Sequence, residues 1–180
     1  IPAPQPAPRP VAGDQGGAAA DDATEEQVTQ LINQVVTLQK QTAALLKRQP
    51  RKEDATAAYA TAEKNAALMQ SNLTDKKFSQ AANYAIATVS DIVLVFLEYN
   101  TTKTSRENAQ NIQTIMQSTK QETSIQQIIK NLETVLRLAN QNLVVIEVAE
   151  AVPGPVAGNV TAQVASLVTQ AEALIKRVQV

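Results

Sequence analysis

The sequence predicts an all-α protein: an up-and-down bundle of five or six amphipathic helices after a disordered N-terminal tail rich in Pro, Gly and Ala. Three observations support this fold class. Apolar residues recur at intervals of three and four along most of the chain. No segment shows the apolar–polar alternation of a half-buried strand with comparable strength. Helix breakers are concentrated in the first residues, at Pro50 and in residues 153–158.

The composition limits the classes of partner. The chain has 180 residues, enough for one domain with its own core. Apolar residues make up 44% but aromatic residues only 3%, so the core must be built from Ala, Val, Leu and Ile. Basic and acidic residues number 16 and 17. This balance indicates neither nucleic acid nor an anionic membrane as a partner.

The chain contains no His and no Cys. Their absence excludes Ser-His-Asp and Cys-His catalysis, disulfides, zinc sites and thiol redox chemistry. Di-iron sites of helical bundles also need His. No glycine-rich phosphate loop is present. We therefore expect no enzymatic activity, no catalytic or metal-binding residue, and no cofactor.

Residues 1–23 form the predicted tail, and residues 24–180 form the predicted bundle domain. Proline occupies every second position from Pro2 to Pro10, which is typical of extended polyproline II or disordered chain. The sequence does not begin with Met. Together with the proline-rich start, this favours a secreted, extracellular protein.

Three helices are predicted in the first half of the domain. A capping box at Thr24-Glu25-Glu26-Gln27 indicates that the first helix begins there and ends near residue 49, before Pro50. The second is predicted over residues 53–72 and the third over residues 75–99. Apolar residues of the first helix follow a heptad-like spacing: Val28, Leu31, Val35, Leu38, Thr42 and Leu45.

The second half of the domain is less clearly divided. A second capping box is predicted at residues 104–107. The apolar pattern from residue 105 to residue 150 fits either one kinked helix or two helices separated near Thr123 and Ser124. Pro153-Gly154-Pro155 ends this pattern. A last helix is predicted from residue 160 or 161 to the C-terminus.

Two stretches, residues 92–97 and, apart from Glu147, residues 143–148, are apolar on all sides. Each is too short to cross a membrane, which takes about 20 apolar residues, so no transmembrane segment is expected. One interpretation makes them packed core helices. The other makes them the walls of a dry cavity for a fatty acid or another lipid. The second interpretation predicts these ligand-binding residues: Val89, Ile92, Val93, Phe96, Leu132, Leu136, Leu143 and Ile146.

Three sequons, beginning at Asn72, Asn100 and Asn159, predict N-glycosylation and agree with secretion. Each lies at a predicted helix boundary, where a glycan can be accommodated. The alternative is that all three are ordinary asparagines at helix ends.

In composition and helix number, the chain resembles secreted cysteine-free helical bundles such as fungal hydrophobic-surface-binding proteins, galactomannoprotein-type lipid binders and insect exchangeable apolipoproteins. No motif carries this resemblance, so it assigns no residue a role. The leading hypothesis is a secreted, non-enzymatic bundle that binds a lipid or an apolar surface. The alternative is a structural bundle that binds a partner protein or forms a homo-oligomer, which the heptad-like spacing of residues 28–45 favours.

Overall fold

The computed structural model describes residues 18–151 and 160–178. These ranges hold six α-helices and no strand, which confirms the predicted all-α bundle. The helices are α1 (Ala18–Arg48), α2 (Glu53–Thr74), α3 (Phe78–Tyr99), α4 (Lys103–Thr119), α5 (Ile125–Ala151) and α6 (Val160–Val178). Of the predicted tail, residues 1–17 lie outside the described residues.

Helix α1 begins at Ala18, six residues before the predicted start, so residues 18–23 belong to a helix and not to a tail. Three consecutive alanines, which have the highest helix propensity, extend the helix toward the N-terminus. The predicted capping box at Thr24 is therefore wrong. Thr24 is buried inside α1, and its Oγ1 accepts a hydrogen bond from Nε2 of Gln126 on α5, at 3.1 Å.

Two further boundaries differ from the prediction. Thr102 caps α4, accepting a hydrogen bond from the backbone N–H of Ser105 at 3.2 Å, so the predicted box at residues 104–107 is wrong. Helix α3 begins at Phe78 and not at the predicted residue 75. Residues 75–77 form the turn that ends α2. The N–H groups of Lys76 and Lys77 bond back to the carbonyls of Leu73 and Asn72, with Lys76 in the left-handed region at φ 56°.

Residues 105–150 form two helices and not one kinked helix. The break lies at residues 120–124, between α4 and α5. Within it, Oε1 of Glu122 accepts hydrogen bonds from the N–H groups of Thr123 and Ser124, at 3.0 and 2.9 Å. The Oγ of Ser124 accepts from the N–H of Gln127 at 3.4 Å, at the start of α5. These bonds satisfy backbone donors that the helix start would otherwise leave open.

Helix α3 is the central element and packs against α1, α2, α4 and α5. Side-chain bonds fix the helix directions. Asn65–Asp91, Ser90–Gln113 and Asn131–Thr119 join antiparallel neighbours, and Gln27–Glu133 and Arg48–Glu150 join α1 to a parallel α5. Helices α3 and α5 therefore run parallel through the core, while α6 packs mainly on α5.

The core is aliphatic, as the composition predicts. Its centre is formed by buried Val, Ile and Leu side chains of α1, α3 and α5. Small side chains on α2 let it approach α3 closely, since alanine adds little width to the contact. The buried residues of α2 are Ala55, Ala62, Ala66 and Met69.

Substitutions at neighbouring positions of α3 test this packing. Ile92 is fully buried, whereas Leu94 on the same helix is 40% exposed. Ile92→Ala removes buried methyl groups and leaves a cavity, so we expect a loss of about 2–5 kcal/mol in the free energy of unfolding. Leu94→Ala should change it by about 0.5 kcal/mol or less. Urea denaturation measures both; equal losses would contradict a core centred on α3.

Candidate functional site

The structure brings all eight predicted ligand-binding residues together. Four lie on α3 and four on α5, and all belong to one core cluster with exposures of 3% or less. Leu136 also lines a polar surface groove between α1 and α5. In this arrangement the eight side chains pack against protein. Their contact with a ligand stays a prediction.

A surface cleft of about 620 Å³, which we name the end cleft, lies at one end of this core. Its walls come from the α3–α4 connection, from α5 and from α6. The lining includes four aliphatic side chains on α5 and α6, and hydroxyl and amide groups on the α3–α4 connection. The lining residues are Tyr99, Asn100, Thr101, Thr102, Lys103, Thr104, Ala149, Val164, Ala165, Val168, Thr169 and Glu172.

The end cleft adjoins the predicted ligand-binding residues. Tyr99 lies about one helical turn beyond Phe96 on α3, and Ala149 lies about one turn beyond Ile146 on α5. Tyr99 itself packs against the core cluster. The floor of the cleft is therefore the last turn of the two central helices.

Tyr99 is held in place at the rim of the cleft. Its hydroxyl donates a hydrogen bond to the carbonyl oxygen of Pro50 at 3.0 Å, and Nζ of Lys52 lies 5.3 Å from its ring centroid. Lys52 also donates to the carbonyl oxygen of Glu98. Desolvation, together with the charge of Glu98, raises the pKa of Tyr99 above its ordinary value of 10.0.

Helix α6, the outer wall of the cleft, is the least embedded of the described helices. Only Val168 and Ala171 of its described side chains are buried, whereas Leu174 is 58% exposed. Beyond its packing on α5, Oε2 of Glu172 accepts a hydrogen bond from Thr104 Oγ1 at 3.2 Å. Across residues 164–178, little apolar burial holds this helix against the bundle.

A polar cluster lies beneath α6. Asn108 Nδ2 donates to Asn142 Oδ1 at 3.0 Å, and Asn142 Nδ2 donates to the carbonyl oxygen of Ser105 at 3.1 Å. Oε1 of Glu172 is buried and has no hydrogen-bond partner among the described residues. A buried polar atom without a partner costs about 1–3 kcal/mol, which weakens the attachment of α6.

A second cleft, which we name the side cleft, has a volume of about 480 Å³. Helix α3 forms its floor, and α2 and α4 form its walls. Apolar side chains occupy its middle, and polar or charged groups occupy its rim. The lining residues are Asn65, Asn83, Tyr84, Ile86, Ala87, Asp91, Met116 and Lys120.

Asp91 is the chemically unusual residue of the side cleft. Its Oδ2 accepts a hydrogen bond from Nδ2 of Asn65 at 2.7 Å. Desolvation raises the pKa of Asp91 above its ordinary value of 3.8, and the hydrogen bond from Asn65 partly opposes this rise. Sequence reasoning did not single out Asp91. In the sequence, Asp91 is only an acidic residue immediately before an apolar run, a pattern that occurs on many helices.

The sequons lie as follows. Asn72 is in the last turn of α2, where its Nδ2 donates to the carbonyl oxygen of Leu68 at 2.8 Å. Asn100 follows α3, and its Oδ1 accepts from the N–H of Thr102 at 3.0 Å. Asn159 is outside the described residues. Both described asparagines therefore have structural roles at helix ends, and glycosylation stays a prediction.

Within the described ranges, α3 alone is long and apolar enough to cross a membrane by length and composition, with a mean hydropathy of 1.4. The prediction of no transmembrane segment rests on residues 92–97 and 143–148, each of which is too short to cross a membrane. In the bundle, 61% of the apolar window of α3 is buried inside the protein. Such burial is typical of a core helix, which passes the same test.

Comparisons with known proteins do not assign a function. No protein-family model matches the chain, and neither a curated protein nor a solved structure matches it. Among residues 18–151 and 160–178, no group of three or more Asp and Glu side chains could hold a metal ion. The volume and mixed apolar and polar lining of the two clefts make them the candidate sites.

The raised pKa of Asp91 predicts the sign of a pH effect. The folded chain holds a proton on this carboxyl more strongly than the unfolded chain does. The free energy of unfolding therefore rises as the pH falls from above the raised pKa toward 3.8, because the protonated carboxyl is favoured in the folded chain. At neutral pH, the ionised carboxylate of Asp91 lowers the free energy of unfolding. Asp91→Asn removes this cost and keeps an acceptor oxygen for Asn65.

We therefore expect Asp91→Asn to raise the melting temperature at about pH 7, with a smaller difference from wild type near pH 3.8. Thermal unfolding followed by circular dichroism at both pH values measures this. Asp75→Asn, at an exposed carboxyl at the end of α2, is the matched control and should change little. A lower melting temperature for Asp91→Asn at neutral pH would contradict the expectation.

Proposed function

We propose that the protein is a secreted, non-enzymatic helical bundle that binds the apolar chain of a lipid, such as a fatty acid, through the end cleft. The supporting observation is the position of this cleft, about 620 Å³ in volume, against the last turns of α3 and α5. Cavities of about 300–1,000 Å³ are typical of small-molecule sites.

The lining of the end cleft suits a molecule with one apolar and one polar end. Ala149, Val164 and Val168 offer an apolar wall on α5 and α6. On the opposite side, Lys103 lies at the start of α4, mostly exposed, with its Nζ 3.8 Å from Glu107. A carboxylate head group near Lys103 would gain a charged partner and the hydroxyl group of Thr101.

Entry into the core would require α6 to move. Because α3 and α5 run parallel, an acyl chain passing beneath α6 would meet Phe96 and Ile146 first. Ile92, Val93 and Leu143 follow about one turn deeper. The remaining predicted residues, Val89, Leu132 and Leu136, would be reached only by a wider opening.

Burial supplies the binding energy in this proposal. Each methylene removed from water contributes about 0.8 kcal/mol. Burial of a chain of about a dozen methylenes therefore contributes more free energy than it costs to order the ligand and displace a loosely packed helix. The net binding free energy is then several kcal/mol in favour of the complex.

Secretion and glycosylation are part of the proposal. Their support is the proline-rich start and the sequons at Asn72, Asn100 and Asn159. A glycan on Asn100 would lie at the rim of the end cleft, because Asn100 lines it. The intact mass of protein from its native source tests this point, and unmodified asparagine at all three sites would remove the support.

The alternative is a bundle that binds a partner or self-assembles. The heptad-like spacing of residues 28–45, which favours it in the sequence, does not support it in the folded chain. The heptad-like residues of α1 are all buried within the chain, where they face the core formed with α3 and α5: Val28, Leu31, Val35, Leu38, Thr42 and Leu45. This stripe is not available for a coiled coil with another chain.

Filling the end cleft tests lipid binding. Ala165 is an exposed residue of α6 that lines the cleft, so Ala165→Trp should occupy it without entering the core. We expect laurate affinity, measured by isothermal titration calorimetry, to fall at least about tenfold, the equivalent of losing about two buried methylenes.

The matched control is Ala173→Trp, at an exposed position of the same helix that does not line the end cleft. It should bind laurate as the wild type does, and circular dichroism should show the same helix content for both variants. Absence of saturable laurate binding by the wild type, or equal binding by Ala165→Trp, would refute the proposal.

A further inference from the structure

The side cleft holds a half-buried carboxylate that no cation neutralises. Among the described residues, Asp91 forms no ion pair, and its only hydrogen bond is the one from Asn65 to Oδ2. Removing a charge from water is costly unless an opposite charge pairs with it. The other oxygen, Oδ1, faces no donor of the described chain and is available to a ligand.

The surroundings of Asp91 define the shape of that ligand. Ile86, Ala87 and Met116 form an apolar surface along the middle of the cleft. Asn83 lies eight residues before Asp91 on α3, which places the two about 12 Å apart along the helix. A molecule of this length could lie along the floor between α2 and α4.

The far end of the side cleft carries the opposite charge. Helices α3 and α4 are antiparallel, and Gln113 bonds to Ser90 at 2.8 Å. Lys120, seven residues beyond Gln113, therefore lies level with Asn83 and away from Asp91. A single positive charge on a ligand is attracted to the Asp91 end and repelled from the Lys120 end, which fixes its orientation.

We propose that the side cleft is a binding site for a small organic ammonium compound, with its cation at Asp91 and its apolar body over Ile86, Ala87 and Met116. Asn65 and Asn83 use their Nδ2 groups in bonds within the protein, at 2.7 Å to Asp91 and 3.0 Å to the carbonyl oxygen of Ser79. The amide oxygen of Asn65, beside Asp91, remains an acceptor for the N–H groups of the ammonium, and that of Asn83 remains an acceptor for a polar group at the other end of the ligand.

An organic cation fits this site better than a metal ion or a fatty acid. A single carboxylate is a poor site for Ca²⁺, which takes six to eight oxygen ligands. The carboxylate of a fatty acid would be repelled by the half-buried Asp91, and the one basic side chain that lines the cleft, Lys120, is exposed to solvent and offers only a weak partner. The inference is therefore independent of lipid binding at the end cleft.

A pair of probes that differ in charge tests the proposal on the full chain. Phenethylamine carries an ammonium at neutral pH, and 2-phenylethanol has a similar shape without the charge. In NMR titrations, we expect phenethylamine to bind saturably below about 10 mM, shifting the amide signals of residues around Asp91 and Met116. The alcohol should bind at least tenfold more weakly.

Asp91→Asn should weaken phenethylamine binding at least tenfold, and Asp75→Asn should not. Because Asp91→Asn is expected to be more stable than the wild type at neutral pH, lost binding would not reflect unfolding. Ala87→Phe, which fills the middle of the cleft, is a second variant that should also abolish binding. Equal binding of amine and alcohol, unchanged binding by Asp91→Asn, or no saturable binding of the amine would overturn the proposal.

Discussion

The contact between α3 and its four neighbours is the interaction on which the rest of the structure depends. Helix α3 buries Ile86, Val89, Ile92, Val93 and Phe96, and each surrounding helix buries its apolar stripe against it or against α5. With so few aromatic residues, this aliphatic burial must supply most of the folding energy. Both clefts arise where the cover over α3 is incomplete: at its C-terminal end, and along the side between α2 and α4.

Each cleft is lined by one basic and one acidic side chain, Lys103 with Glu172 and Lys120 with Asp91, and the positions of these groups separate the proposed ligands. Lys103 lies at the rim of the end cleft, which suits an anionic head group, whereas Asp91 lies in the side cleft, which suits a cation. Their walls also differ. The side cleft lies between helices packed on the central α3. The end cleft has α6 as one wall, with two buried side chains within residues 164–178 and an oxygen of Glu172 without a hydrogen-bond partner among the described residues. We therefore infer that the end cleft can open and that the side cleft keeps its shape.

Much of the fold could be predicted because the spacing of apolar residues along a helix indicates which of its faces is buried. The recurrence of apolar residues at intervals of three and four predicted a helix over residues 75–99, and most of its apolar run at residues 92–97 is buried, whereas Leu94 is 40% exposed. Helix starts were less predictable, since a capping motif such as that at Thr24 acts only where no helix precedes it. The eight ligand-binding candidates all lie in one core cluster, and their contact with a ligand stays a prediction. The clefts could not be predicted, because they depend on distant segments such as Asn65 with Asp91, or Ala149 with Val164.

Hydrogen–deuterium exchange of the full chain, with and without laurate, tests the central claim that α6 is a movable wall over a rigid α3–α5 core. We predict that amides of α6 exchange at least about tenfold faster than those in the middle of α3 and α5, since local opening requires little loss of apolar burial there. Saturating laurate should slow exchange in α6 and around residues 96–104. Exchange in α6 as slow as in α3, with no change on adding laurate, would contradict this account.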